Sequence, residues 1–393
     1  MTRRRIGGLA LTALLALLPA APAAAVPDCS PKRQARTLLT DQGMEESITS
    51  DGLGRLIYSR SALNELWILD RPGATPRKLV GDIPKPGGLI MGLDGNLIAG
   101  FGDGVTEGQA DDGQAGVYRV DPSTGAKKLI TKGFGMANGI ASGPDGAIYG
   151  TNDFGGDVDR YLNGKLETDW AKAATTNGIV VDKAGRFLYV AQTFKPPSIV
   201  KIEIARPSNV TTFAEGGPTD GAAVLDGMAR DDKDTLYVAA NIAGEVWRVG
   251  QDRKPCVLAR GLKNPSMVAF GGGGRGFEAR NLYVVGFGGE LTELVGATDA
   301  PPPSPALQPL TLTLSPRKVA LGRTVKVKAT VSILGVPGAR PALGATVRLG
   351  GRSAKTDAKG RATLSVRFIR KRLVRAGASL AGFRRATAPL SAG

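Results

Sequence analysis

Glu46, Asn138, Asn177 and Asp226 recur at one position of a repeating phrase. Together they offer two carboxylates and two carboxamides. An all-oxygen set of this kind suits calcium first, then magnesium or manganese; zinc is a less natural guest. The chain of 393 residues has no histidine. That absence removes Ser-His-Asp and Cys-His triads, His-ligated zinc and histidine proton relays. Acid–base work is left to carboxylates, Lys, Tyr or a metal-bound water. A plainer reading treats Asn-Gly and Asp-Gly as ordinary turn dipeptides before a strand. It covers Asn138, Asn177 and Asp226 singly but leaves Glu46, a poor turn residue, at the same register.

The elements that would position these residues show in the repeat. The phrase is a polar residue, a short apolar run, an Asp/Gly turn and a second apolar strand. It appears as EESITSDGLGRLIYS, GGLIMGLDGNLIAG, NGIASGPDGAIYGTND, NGIVVDKAGRFLYVAQ, DGMARDDKDTLYVAAN and SMVAFGGGGRGFEARNLYVVG. The first positions are 46, 87, 138, 177, 226 and 266, spaced 41, 51, 39, 49 and 40 residues apart. Third and fourth strands follow most copies. Six units of about forty residues with four short strands each describe an all-β, six-bladed β-propeller over 26–297.

The last unit has three strands, and the segment 35–40 before the first unit supplies a fourth, so the ring closes without an open edge. This places Cys29 beside blade six and Cys256 at the fourth strand of blade five, and a Cys29–Cys256 disulfide is expected. Residues 298–308, TDAPPPSPALQ, read as a stiff extended linker. Alternation over 309–393 predicts a small β-sandwich of the Ig-like or prealbumin-like kind.

In a propeller the first strand of each blade is innermost, so all six start around one mouth of the channel. The ends of the second strands reach the same mouth. They predict a pocket wall of Arg60, Asp103, Asn152, Asp153, Gln192 and Asn241. The acidic, Gly-rich loop 102–115 lies on this face as a lid or as plain surface. Trp67, Trp170 and Trp247 fall at strand positions and read as blade packing.

Glu46, Asn177-Gly178-Ile179, Asp226-Gly227-Met228 and the late phrase Ala269-Phe270-Gly271-Gly272 with Leu282-Tyr283-Val284 resemble the regucalcin/gluconolactonase family over about 36–295. The resemblance implies a six-bladed propeller that opens sugar lactones with one divalent ion. It implies Glu46, Asn177 and Asp226 as metal ligands, Asn138 as a further ligand or substrate contact, and Asp226 as general base. The ion would polarise the lactone carbonyl. The chain departs from the family where Met136 stands two places before Asn138, since the sugar lactonases have Arg there. The family's acidic substrate contact after the following strand is not plainly matched; Asn152 and Asp153 are only nearby. Strictosidine-synthase-like and NHL-type propellers share the blade pattern, which keeps a non-catalytic, ligand- or protein-binding propeller as the alternative.

The charge is uneven. The whole chain carries +16, yet 26–308 carries −4, while 309–393 holds 18 Lys and Arg against the single acid Asp357. Residues 1–25 combine an Arg run, an apolar stretch and Ala23-Ala24-Ala25, the pattern of a secretory signal peptide. No later stretch is apolar enough to cross a membrane. The expectation is a secreted protein whose basic end meets an anionic cell-wall polymer or phospholipid headgroups, or is merely solvated. Export and the scarcity of aromatics among the basic residues argue against nucleic acid.

Overall fold

The computed structural model describes residues 25–393 apart from Lys195 and Pro337; residues 1–24 of the expected leader lie outside them. Six four-stranded sheets follow one another. Blade 1 is Ile48–Ser50, Leu56–Arg60, Glu65–Leu69 and Arg77–Val80; blade 2 is Pro86–Met91, Leu97–Phe101, Ala115–Val120 and Lys127–Phe134. Blade 3 is Ile140–Ser142, Ile148–Asn152, Asp157–Leu162 and Lys165–Lys172; blade 4 is Thr176–Val181, Phe187–Gln192, Ser198–Glu203 and Arg206–Glu215. Blade 5 is Leu225–Arg230, Leu236–Ala240, Glu245–Val249 and Pro255–Arg260. Blade 6 takes Pro265–Phe270, Leu282–Gly286 and Leu291–Leu294, and borrows Ala35–Leu39 as its outer strand. Each first strand touches the first strands of both neighbours, all the way round the ring.

The recurring Asp of the repeat makes the hairpin between first and second strands. Asp51, Asp145, Asp182 and Asp231 each accept backbone N–H bonds from residues two to five places on. This side-chain cap closes a tight turn without strand pairing. The apolar strands that follow are buried on both faces, and six hydrophobic clusters fill the six seams between neighbouring blades. Tyr149 packs with Trp170, and Trp247 is buried in the seam of blades 4 and 5.

The ring is closed at several points. Residues 26–33 lie along the outer edge of blade 5, where Cys29 N–H donates to the Val257 carbonyl and Val257 N–H to Pro27. Cys29 is disulfide-bonded to Cys256 across 227 residues of chain. A bridge enclosing so long a loop restricts the unfolded chain strongly. Cys29→Ser is expected to lower stability by about 2–4 kcal/mol, read as a drop in the urea midpoint at constant slope.

The segment 298–308, expected as a stiff extended linker, is a docked strap. It crosses the hairpin-turn face of the propeller in ring order. Thr298 Oγ1 donates to Asp231 and Ala300 O accepts from Asp232 in blade 5. Ser304 donates to Gly272 O in blade 6. Ala306 abuts Gly52 in blade 1, and Gln308 donates to Asn96 and Asp121 in blade 2. The C-terminal unit then forms two sheets around one core of Leu, Val and Ala side chains. Arg340 pairs with the buried Asp121 of blade 2. Among the described residues no helix is long and apolar enough to cross a membrane.

Candidate metal centre

The side chains that carry chemistry sit at the mouth opposite the strap. Their placement depends on a local irregularity of the innermost strands. In blades 2, 4, 5 and 6 the first strand carries one residue more than its partner strand, at Gly87-Gly88, Asn177-Gly178, Asp226-Gly227 and Ser266. Such a bulge re-aims the side chain it carries. In blades 4 and 5 that side chain is Asn177 and Asp226. Neither pair is a turn: both lie inside strands. The glycines serve close packing at the axis. A Cβ on Gly178 would stand 2.3 Å from the Asp226 carbonyl oxygen, and one on Gly139 would stand 2.4 Å from that of Asn177. Gly178→Ala is therefore expected to cost about 3 kcal/mol and to weaken cation binding, read by urea unfolding and calorimetric titration.

Hydroxyls stitch these strands across the seams. Thr151 donates to Asn177 O, Thr193 to Leu225 O and Ser266 to Glu45 O. The Ser47 hydroxyl accepts from Leu89 N–H. In blade 1 the Ser59 hydroxyl accepts the N–H groups of both Glu46 and Ser47, which holds Glu46 ahead of its strand. The donor positions are thus set by backbone held on every side.

Glu46, Asn138, Asn177 and Asp226 line one cavity of about 720 Å³, together with Asp103 and Asp153. The four carboxylates share a poorly hydrated space. Burial first, then Asp103 and Asp226, holds the Glu46 carboxyl well above its ordinary range. Burial and then Asp153 do the same to Asp103, against a hydrogen bond from Asn138. Burial and Asp153 push Asp226 up to about 8, although Asn241 Nδ2 donates to its Oδ2 at 3.2 Å. Burial pushes Asp153 up to about 6. Lys85, the cation in the wall, gives its ammonium to both oxygens of Glu107 at 2.7 and 2.6 Å. The site therefore has an excess of negative charge and no free positive partner in its lining.

A cation fits that excess. Asn177 donates through Nδ2 to Thr193 Oγ1, while its Oδ1 is buried without a partner. One oxygen of Asp153 is likewise unpartnered. Buried acceptors in this state are costly unless something positive meets them. Among the described residues no three of Asp, Glu and Cys are grouped to hold an ion by themselves. An ion here needs the amide oxygens of Asn177 and Asn138 beside Glu46 and Asp226.

The expected wall divides in two. Asp103, Asp153 and Asn241 line the cavity. Arg60, Asn152 and Gln192 do not. Each of those three is the last residue of its second strand and turns outward. Arg60 donates to Gln42 O and stacks on Trp67. Asn152 donates to Gly108 O, and Gln192 to Ala174 O at 2.6 Å. They fix loops. The wall is built by residues one or two places further on: Ser61 and Ala62, Asp153 and Phe154, Thr193 and Phe194, Asn241 and Ile242. The loop between the second and third strands of blade 2 contains a short helix, Val105–Ala110, tied down by Asn152 and by Lys85–Glu107. Glu45, which the sequence pattern does not single out, is buried behind Glu46 and pushed up to about 8 by burial, against the pull of Arg60.

Comparison with known proteins gives the same frame. Residues 152–286 match the family model described as the SMP-30/Gluconolactonase/LRE-like region. A gluconolactonase from Xanthomonas campestris has a similar fold, with 19% identity and a TM-score of 0.55 over 71% of this chain and 98% of that one. A luciferin-regenerating enzyme gives 12% identity and 0.53 over 70% and 98%. Regucalcin from Agrobacterium tumefaciens, a calcium-binding protein, gives 17% and 0.50 over 69% and 97%. No curated protein sequence matches the chain.

Proposed function

We propose that this chain, whose propeller carries an SMP-30/gluconolactonase/LRE-like region, is a secreted hydrolase that opens a lactone or related cyclic ester with one divalent cation, calcium being the best fit. The observation that carries the reading is the unpartnered Asn177 oxygen in one cavity with the buried carboxyls of Glu46, Asp153 and Asp226 and the half-buried one of Asp103. The likeness to a gluconolactonase and to a calcium-binding regucalcin supports it. Glu46, Asn177 and Asp226 would hold the ion, with Asn138 beside them.

The ion, when bound, supplies Lewis-acid polarisation of the carbonyl and stabilises negative charge. The chain's own residues do the rest. Asp226 would accept, through its carboxylate, a proton from the water whose oxygen adds to the ester carbonyl. It would pass that proton to the ring oxygen as the acyl C–O bond breaks. Asn241 keeps the carboxylate oriented by donating to Oδ2. The Thr193 hydroxyl, accepting from Asn177 Nδ2, turns the Asn177 carbonyl toward the cavity. A divalent charge among the carboxylates pulls their pKa values back down, so Asp226 becomes a competent base near neutral pH. No histidine is needed.

The test is direct. Protein freed of metal with a chelator is given calcium, manganese or zinc separately, and ring opening of a lactone panel is followed by acid release. Metal-dependent opening is the expected result. A protein that binds no divalent ion under these conditions sinks the reading and leaves a ligand-binding propeller.

A further inference from the structure

The cavity above the carboxylate floor has an apolar rim, and that rim states a substrate preference. Among the described residues, nine large hydrophobic side chains of the propeller are exposed, and five of them line this one cavity. They are Met44, Val105, Phe194, Ile242 and Phe287, each between 41% and 60% exposed. They come from the loops of blades 1, 2, 4, 5 and 6, so they ring the mouth. Phe154 of blade 3 lines it too, and its ring packs with that of Phe194 at 5.5 Å between centroids. Clustered exposed apolar side chains at a concave site mark a binding surface.

The polar groups point the same way. A polyhydroxylated ligand needs donors and acceptors distributed over the walls, because each buried hydroxyl left unpaired is penalised. Here the wall donors Lys85, Asn241 and Thr193 are already engaged, and the acceptors left open, on Asn177 and Asp153, lie at the carboxylate floor where the ion would sit. Lys85 is held by Glu107, Asn241 by Asp226 and the Asn264 carbonyl, and Thr193 by Asn177 and Leu225. Ser61 has an unpartnered hydroxyl.

We infer that the substrate is a small cyclic ester carrying an alkyl or aryl substituent, with the ester at the carboxylate floor and the substituent against the Ile242–Phe287 side of the rim. This rests on the lactone-opening reading above. Burial of one methylene against such a rim changes affinity about three- to fourfold.

The experiment uses unreactive δ-lactams, amide analogues of the ester, titrated calorimetrically into the full chain in the presence of calcium. Lactams with alkyl substituents of two to eight carbons are expected to bind about threefold tighter per methylene until the rim is filled. Ile242→Ser and Phe287→Ser are expected to flatten that series while leaving calcium affinity unchanged. A flat or falling series in the parent protein, or tighter binding of a polyhydroxylated lactam than of the alkyl ones, overturns the inference even if lactones are opened. A rising lactam series with no lactone opening at any metal defeats the hydrolase reading and leaves the substituent preference standing.

Discussion

Asp226→Asn is expected to reduce lactone opening at least a thousandfold and calcium affinity at least a hundredfold, while making the metal-free protein more stable than the parent. The loss follows from two roles in one residue. Removing a general base typically costs 10² to 10⁴ in rate, and removing a charged ligand weakens ion binding besides. The gain in stability has a separate cause. In the metal-free fold Asp226 is buried beside Asp153, which pushes its carboxyl up to about 8. At pH 7.5 that arrangement opposes folding, because the unfolded chain ionises the group freely. A neutral amide of the same shape escapes this and still accepts the Asn241 hydrogen bond. The gain is on the order of 2 kcal/mol. Urea midpoints in chelator, calcium titration and initial rates measure the three effects. An unchanged rate removes Asp226 from the mechanism, and a less stable metal-free variant refutes the account of a carboxyl strained by burial and by Asp153.

Metal-free protein should lose stability as pH rises, and calcium should reverse most of the loss. Asp153 is pushed up to about 6 and Asp226 to about 8, with Glu46 and Asp103 well above their ordinary range. Each folded value exceeds the unfolded one, so the folded state holds extra protons. That contribution is complete below about pH 4 and is lost as pH climbs through 6 and then 8. The expected fall from pH 5 to 8.5 is about 4 kcal/mol, on the order of 10 °C in Tm. Calcium at a hundred times its Kd returns about 2.7 kcal/mol at pH 8. It returns little at pH 5, where protons compete for the same oxygens. Some slope should survive. Glu45, at about 8, and Asp157, pushed to about 7 by burial and Asp159, lie outside the cavity and keep their own pH dependence. Thermal scans across pH, with chelator and with calcium, decide the matter. A flat metal-free profile would mean the carboxylates are not mutually strained.

The repeat made the propeller legible because each blade must bury its inner strands on both faces and most turn on an Asp-capped hairpin. Both demands leave a mark every forty residues. The donor register was legible for the same reason, since Glu46, Asn138, Asn177 and Asp226 hold one structural position. The wall was half legible. Strand alternation turns Arg60, Asn152 and Gln192 outward at the strand ends, so the wall begins one residue later. That offset depends on where each strand stops, which the apolar pattern marks only loosely. The rim was not read, because Ile242 and Phe287 lie just past the strand ends, beyond the apolar pattern, and Met44 comes from the loop before blade 1. The docking of the strap was not legible, because Pro-rich composition describes stiffness and says nothing of what the segment lies against.

The borrowed outer strand of blade 6 sets an order in time. Ala35–Leu39 leaves the ribosome first, yet its partner Leu291–Leu294 follows about 250 residues later. At ordinary rates of synthesis the early strand waits about 10–50 s. Throughout that interval Ala35–Leu39 has no sheet partner, and the growing arc of blades bares an apolar face at each end, the kind of surface that recruits foreign chains. Only when residues up to Gln308 have emerged can the arc shut and the strap be laid across the join. A chain stopped short of Leu294 would remain an adhesive intermediate, its first strand unpaired.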